Sequence, residues 1–316
     1  MKKAFEKLNL RDYGVLLGFL ALCIAISIAT PSFLGKQNIL NLLRQSSIIG
    51  IISAGMTFVI ISGNFDISVG AVAALAGAIT MKFATGGTNL FASMLLGVAI
   101  CAVIGLINGI VVAKINVPSL IATMAMVTIV RGLLLMLTGG YPITENIPIL
   151  DYIGNGYLFS MPIPVVIFFL VVLASFIVLN KTKFGRYVYS VGGNQEASKL
   201  NGINVDSHKV KVFIINAVLA GIAGIVLTGR LGTATAIAGE GYDMDAIASV
   251  VIGGTSVAGG SGSVLKTVIG VLLMSVINNS FNLLGIDVYF QYIFKGLIIL
   301  AAVGFDSYSK KKLASR

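Results

Sequence analysis

The chain of 316 residues has 57% hydrophobic and 11% charged side chains, with a formal net charge of +10. So little charge cannot cover a soluble domain, and a mean hydropathy of +0.97 points to a membrane protein. The basic residues fall in short clusters between apolar runs rather than on one face, which argues against a nucleic-acid partner. Cys23 and Cys101 each lie within an apolar run and His208 is the single histidine. A disulfide framework and a Cys/His metal site are therefore not expected, nor is any cofactor.

A bilayer core of roughly 30 Å needs about 20 helical residues. By that measure the runs at 14–33, 48–63, 67–84, 91–113, 119–138, 162–180, 211–231, 246–260, 264–284 and 288–305 predict ten spans. The first follows Lys2 and Lys3 as a signal peptide would. However, Glu6 and Asp12 in its leader, its length and the spans behind it make it an uncleaved first span. The second, third and eighth are short or glycine-rich. Broken helices are tolerated at membrane depth where protein covers the freed backbone groups. The fold class expected is an all-α polytopic membrane protein of about ten transmembrane helices, one domain over 1–316 with its membrane region at 13–306.

Basic residues set the orientation. Lys2, Lys3, Lys7 and Arg11 precede the first span, and Lys114 follows the fourth. Lys181, Lys183, Arg186, Lys199, Lys209 and Lys211 fill the loop after the sixth, and Lys310, Lys311 and Lys312 follow the tenth. With ten spans all of these fall on one side, the cytoplasm, and both termini lie there. Lys36, Arg44 and Arg230 fall outside, so the bias is one of majority.

The two halves carry related segments. "FDISVGAVAALAGA" (65–78) has a counterpart in "YDMDAIASVVIGGT" (242–255), "LLGVAICAVIGLINGIVV" (95–112) in "VIGVLLMSVINNSFNLL" (268–284), and "IVRGLLLML" (129–137) in "IFKGLIILA" (293–301). Spans 2–5 and 7–10 would be the copies, and an offset of five spans inverts one against the other, as in many transporters. The inverted repeat is the expectation, and generic likeness among helices rich in small residues is its alternative.

The polar loop 181–211 interrupts this pattern. Within it "NQEASKLNG" reads as a two-turn helix. Asn194 supplies its N-cap, Glu196 complements the positive N-terminus, and Gly202 takes the left-handed closing position. Ala197, Leu200 and Asn201 then share a low-profile face that suits a groove on a partner protein. An amphipathic loop resting on lipid headgroups fits the same spacing.

Glu196-Ala197-Ser198, followed after three residues by Gly202, resembles the E-A-A-x-x-x-G loop by which ABC-transporter permeases engage their ATPase subunits; Ser198 replaces the second Ala. "GMTFVIISGNFDISVG" (55–70) is similar to the G-M-T-x-V-I-x-x-G-G-I-D-L-S-V-G of bacterial ribose-type (monosaccharide) ABC importer permeases, departing from it at Asn64 and Phe65. "GRYVYSVGGNQEASKLNGINV" (185–205), "AGEGYDMDAIASVVIGGTSVAGGSGSV" (238–264) and "NNSFNLLGI" (278–286) also match, so the resemblance runs from about residue 31 to 306. It implies a permease subunit that imports a simple sugar. Separate ATP-binding subunits would act at loop 181–211, a sugar-binding protein outside, and a second permease copy alongside.

Other marked residues are weighed against this background. Asp66 and Asp245 open the third and eighth spans, where an acid can cap a helix or serve as a gate. Arg131 and Lys295 lie in apolar runs and must face the bundle or snorkel. "GGTSVAGGSGS" (253–263) lacks the Gly-Lys-Ser/Thr ending of a nucleotide loop and reads as a helix break or close packing, so no ATPase of its own is expected. The external loop 139–162 carries Glu145 and Asp151. It is either an inert linker or, as the resemblance implies, a docking site for the binding protein. A neutral hydroxyl-rich cargo calls for a route free of fixed charge, lined by Ser, Thr and Asn. The rival readings are a permease for nucleosides or branched-chain amino acids, and an ion-coupled secondary transporter.

Overall fold

The computed structural model describes residues 10–314. Lys2, Lys3 and Lys7 lie outside the described residues, as do the side chains of Arg11 and of Lys310, Lys311 and Lys312. In chain order the helices are α1 (Leu10–Ala29), α2 (Lys36–Ile61), α3 (Val69–Thr85), α4 (Leu90–Ala113), α5 (Ser119–Thr138), α6 (Pro148–Asn155) and α7 (Ile163–Lys181). They continue as α8 (Lys183–Gly193), α9 (Gln195–Leu200), α10 (Val205–Leu231), α11 (Tyr242–Ile252), α12 (Val264–Leu283) and α13 (Val288–Ala314). Four two-residue strands decorate one end. β1 (Ile143–Thr144) pairs antiparallel with β4 (Thr233–Ala234), and β2 (Tyr157–Leu158) with β3 (Met161–Pro162).

The chain is an all-α polytopic membrane protein, but ten full crossings are more than its helices support. Among the described residues six helices, α2, α4, α5, α7, α10 and α12, are long and apolar enough to cross a bilayer. Val15–Ala29 within α1, Val69–Thr85 (α3) and Val288–Ala301 within α13 are shorter apolar helical stretches. The eighth expected span becomes α11, only 11 residues long, because Gly253 and Gly254 end it. At about 1.5 Å per residue such a helix reaches half-way through a bilayer. The second expected span is longer than its apolar run, since α2 starts at Lys36 and a polar first stretch precedes the hydrophobic one. Hydropathy reports depth in the membrane, not helix length.

α2 and α10 form the centre. From Ser46 to Ile61 every residue of α2 is buried, as expected of a helix that is apolar all round and enclosed by others. α2 packs against α7, α10, α11 and α12, while α10 packs against α2, α3, α4 and α6. Small residues allow the closest of these contacts. A Cβ on Gly105 of α4 would sit 2.6 Å from the Phe213 carbonyl oxygen of α10, and one on Gly224 of α10 1.8 Å from that of Ala73 in α3. By contrast α4, α5 and α7 leave large apolar side chains such as Phe91, Ile121 and Phe169 exposed, a surface suited to lipid.

Candidate functional site

The polar loop folds into two short helices packed on the start of α10. α9 is the helix read from the sequence: the Asn194 side chain accepts from the Ala197 amide at 2.9 Å, and Gly202 closes the turn with φ of 77°. Ala197, Leu200 and Asn201 all face solvent, with Leu200 89% exposed. Glu196 pairs loosely with Lys199 at 3.8 Å. Ser198 alone turns inward, where it meets the Ser190 hydroxyl at 2.9 Å. No helix was expected ahead of Asn194, yet α8 occupies that stretch, with the Thr182 hydroxyl accepting from the Gly185 amide. His208 of α10 stacks on Phe184 and meets Tyr187 edge-on, and Lys209 donates to Gln195 at 2.9 Å. α8, α9 and the first turn of α10 therefore form one unit, with the face of α9 left free.

The far end of α8 touches both helix breaks. The Gly260 amide donates to the Ile61 carbonyl at 2.8 Å, and Tyr189 donates to the Gly262 carbonyl at 3.0 Å. Gly192 lies between them: a Cβ there would stand 1.7 Å from the Ile61 oxygen and 2.7 Å from the Gly260 nitrogen. Only a backbone without a side chain fits. The turn ending α2 and the loop joining α11 to α12 are thus both pinned to α8.

The first break, residues 62–68, exposes backbone donors that α5 and local side chains satisfy. The Phe65 amide donates to the Ser119 hydroxyl at 3.1 Å and the Ile67 amide to the Thr123 hydroxyl at 3.2 Å. Asp66 is 1% exposed and lies upstream of the α3 cap position, which Ser68 occupies. Its carboxylate accepts from the Ser68 amide at 2.9 Å, the Ser68 hydroxyl at 2.5 Å and the Asn216 amide of α10 at 2.9 Å. Asn108 of α4 completes the group by donating to Ser68 at 3.1 Å. Hydrogen bonds from Ser68 and Asn216 thus satisfy this buried carboxyl group.

At the second break Asp245 sits in the first turn of α11, 4% exposed, with Lys295 of α13 3.0 Å from each of its carboxylate oxygens. Asn278 of α12 also bonds to it. Arg131 of α5 donates to the carbonyls of Ala236 and Ala238, and interacts electrostatically with Glu240 and Asp243. Both intramembrane cations therefore converge on one stretch, 236–245.

Glu145 and Asp151 lie exposed at the opposite end of α10. There Asn155 donates to Asp151 and to the carbonyls of Gly229 and Arg230, and Arg44 reaches the Asn155 carbonyl at 3.2 Å while lying over the Tyr157 ring. The loop 139–162 thus forms a folded cap from β1, α6, β2 and β3.

The sequence pattern of the family described as branched-chain amino acid transport system, permease component, matches residues 38–303. The chain belongs to this family. The permease is 43% identical over 303 residues to the ribose import permease protein RbsC of Haemophilus influenzae, covering 93% of this chain and 94% of that one. It is 43% identical over 300 residues to RbsC of Bacillus subtilis, with 94% and 93% covered. Against the L-arabinose transport system permease protein AraH of Escherichia coli the identity is 35% over 300 residues, with 95% and 92% covered. No solved structure matches the permease.

Sequence reasoning missed the partners of the marked residues. Asn216 and Asn108 were visible as lone polar side chains in apolar runs, a signal for a buried polar contact. Glu240 and Asp243 were hidden in a segment read only for its family motif. Gly192 gave no signal beyond belonging to a Gly-Gly pair.

Proposed function

We propose that the chain is the membrane subunit of an ABC importer for a simple sugar of the ribose type. Support comes first from 43% identity over nearly the whole length of two ribose import permeases. The observation that carries the mechanism is the contact of α8 with both helix breaks. α9 presents Glu196, Ala197 and Leu200 to an ATP-hydrolysing subunit on the cytoplasmic side. Movement of α9 shifts α8, and α8 shifts the ends of α2 and α11 together. ATP at the partner then biases outward- and inward-facing states, and the permease needs no chemistry of its own.

The remaining features follow the same reading. Helix α11, with 11 residues, is a half-helix, and the membrane helices α2–α5 form an inverted repeat against α10–α13. The exchange of partners supports it: α2 packs on α11 and α12, and α10 packs on α3 and α4. In each half an asparagine of the third helix also meets the start of the second, Asn108 at Ser68 and Asn278 at Asp245. Both termini are cytoplasmic. A second permease copy completes the path, and the cap carrying Glu145 and Asp151 receives the sugar-binding protein outside. The family description names branched-chain amino acids, which makes their transport the second reading.

The test is reconstitution with the ATP-hydrolysing subunits and the binding protein in vesicles. Ribose uptake should require ATP and survive collapse of ion gradients, and the purified chain alone should hydrolyse no ATP. Uptake driven by an ion gradient without ATP, or leucine carried in place of ribose, would overturn the proposal.

A further inference from the structure

A charged face lies at membrane depth between α5, the 235–243 segment and α13. Arg131 stands about 18 Å along α5 from Ser119, within a helix apolar enough to cross a bilayer. Beside it opens a cavity of about 500 Å³ lined by Thr128, Arg131, Glu240 and Asp243. An adjoining cavity of about 330 Å³ shares Glu240 and Gly241 and is lined further by Gln291, Tyr292 and Lys295. Glu240, on the rim between the two, is exposed. Arginine, lysine and glutamate together cannot face hydrocarbon without large cost, so this face borders water. The size also falls in the range of small-molecule sites.

The chemistry selects the ligand. Carboxylates accept hydrogen bonds from hydroxyl groups, while the guanidinium, the Lys295 ammonium and the Gln291 amide donate to hydroxyl and ring oxygens. Charges of both signs lie side by side, which favours a neutral group able to donate and accept over an ion of one sign. Tyr292, with Met124 and Val127 across the rim, offers apolar surface for the C–H face of a sugar ring. We infer that the two adjoining cavities form a monosaccharide-binding site inside the permease, with Glu240 as the acceptor shared by both. This rests on the sugar-import reading, and it adds a site at which the cargo is held after it leaves the binding protein.

The experiment uses the full complex in vesicles, with Cys23→Ala and Cys101→Ala in the permease and single cysteines at Thr128→Cys or, as a lipid-facing control, Phe169→Cys. A cationic, water-borne thiosulfonate should modify the Thr128→Cys chain and spare the Phe169→Cys chain. D-ribose should slow that modification, and the modified complex should lose ribose uptake while ATP hydrolysis stimulated by the binding protein continues. Glu240→Gln, which keeps the shape, should lower ribose carried per ATP by about tenfold through loss of a charge-assisted hydrogen bond. An unreactive thiol at 128, or modification that leaves uptake intact, overturns the site. Should the unmodified complex carry no ribose, the functional reading fails on its own. Labelling and its slowing by D-ribose still decide the site in that case, and labelling at an unchanged rate with D-ribose present rejects it.

Discussion

Gly202 closes α9 through two backbone bonds, its own amide to the Lys199 carbonyl at 2.9 Å and that of Ile203 to Ser198 at 3.0 Å. A Cβ there would meet nothing within 4 Å, so crowding is not the obstacle to substitution. The obstacle is φ of 77°, which costs a residue with a side chain about 1–2 kcal/mol. Gly202→Val should therefore insert and express normally yet tilt α9 and remove stimulation of ATP hydrolysis in the assembled complex. Normal stimulation would reduce α9 to a surface loop. The Asp245–Lys295 pair is a second residue-scale device. Lys295→Met leaves a buried carboxylate without its counter-ion and should destabilise the permease by about 3–5 kcal/mol. Adding Asp245→Asn should recover most of that loss, read as the thermal unfolding midpoint in detergent. A double variant as unstable as the single would show that the pair carries no coupling.

Among the elements, α8 is fixed at its far end by close backbone contact. Its Gly192 lies against the backbone of both breaks, so Gly192→Ala cannot be absorbed by a rotamer change. The contact must open, and the expected outcome is a stably inserted complex in which ATP turnover no longer responds to the loaded binding protein. Retained coupling would mean that α8 does not transmit movement. α9 was legible because it obeys local rules: a capping Asn194, an acid in the first turn and a closing glycine. α8 was not legible, since "KFGRYVYSVGG" mixes basic, aromatic and glycine residues and owes its position to Phe184 and Tyr187 meeting His208. α11 was drawn too long because a run of small apolar residues continues past Ile252 while the backbone turns at Gly254.

At the scale of the whole molecule the two functional ends are separated by the length of α10. β1 pairs with β4 just beyond its last residue, whereas α9 is tied to Lys209 near its first. The helix has 27 residues, which at about 1.5 Å each spans roughly 40 Å. Single cysteines at Glu145 and at Lys199, both exposed, should therefore react with an impermeant thiol reagent from opposite faces of an intact membrane, Lys199→Cys only from the cytoplasm. Reaction of both from one face would break the topology.

Membrane residence, the order of the apolar runs, family membership and the position of α9 were set by the sequence itself. Hydropathy, capping and motif spacing are local properties that survive without knowledge of neighbours. Tertiary structure decided where α2 and α11 begin and end and what pairs with Asp66, Asp245, Arg131 and Lys295. It also decided that α8 touches both breaks. Those outcomes depend on groups far apart in the chain, such as Asn216 on Asp66 and Arg131 on the Ala236 carbonyl, brought together by packing of small residues. A buried charge must find a partner, but its own neighbourhood in sequence does not say which one.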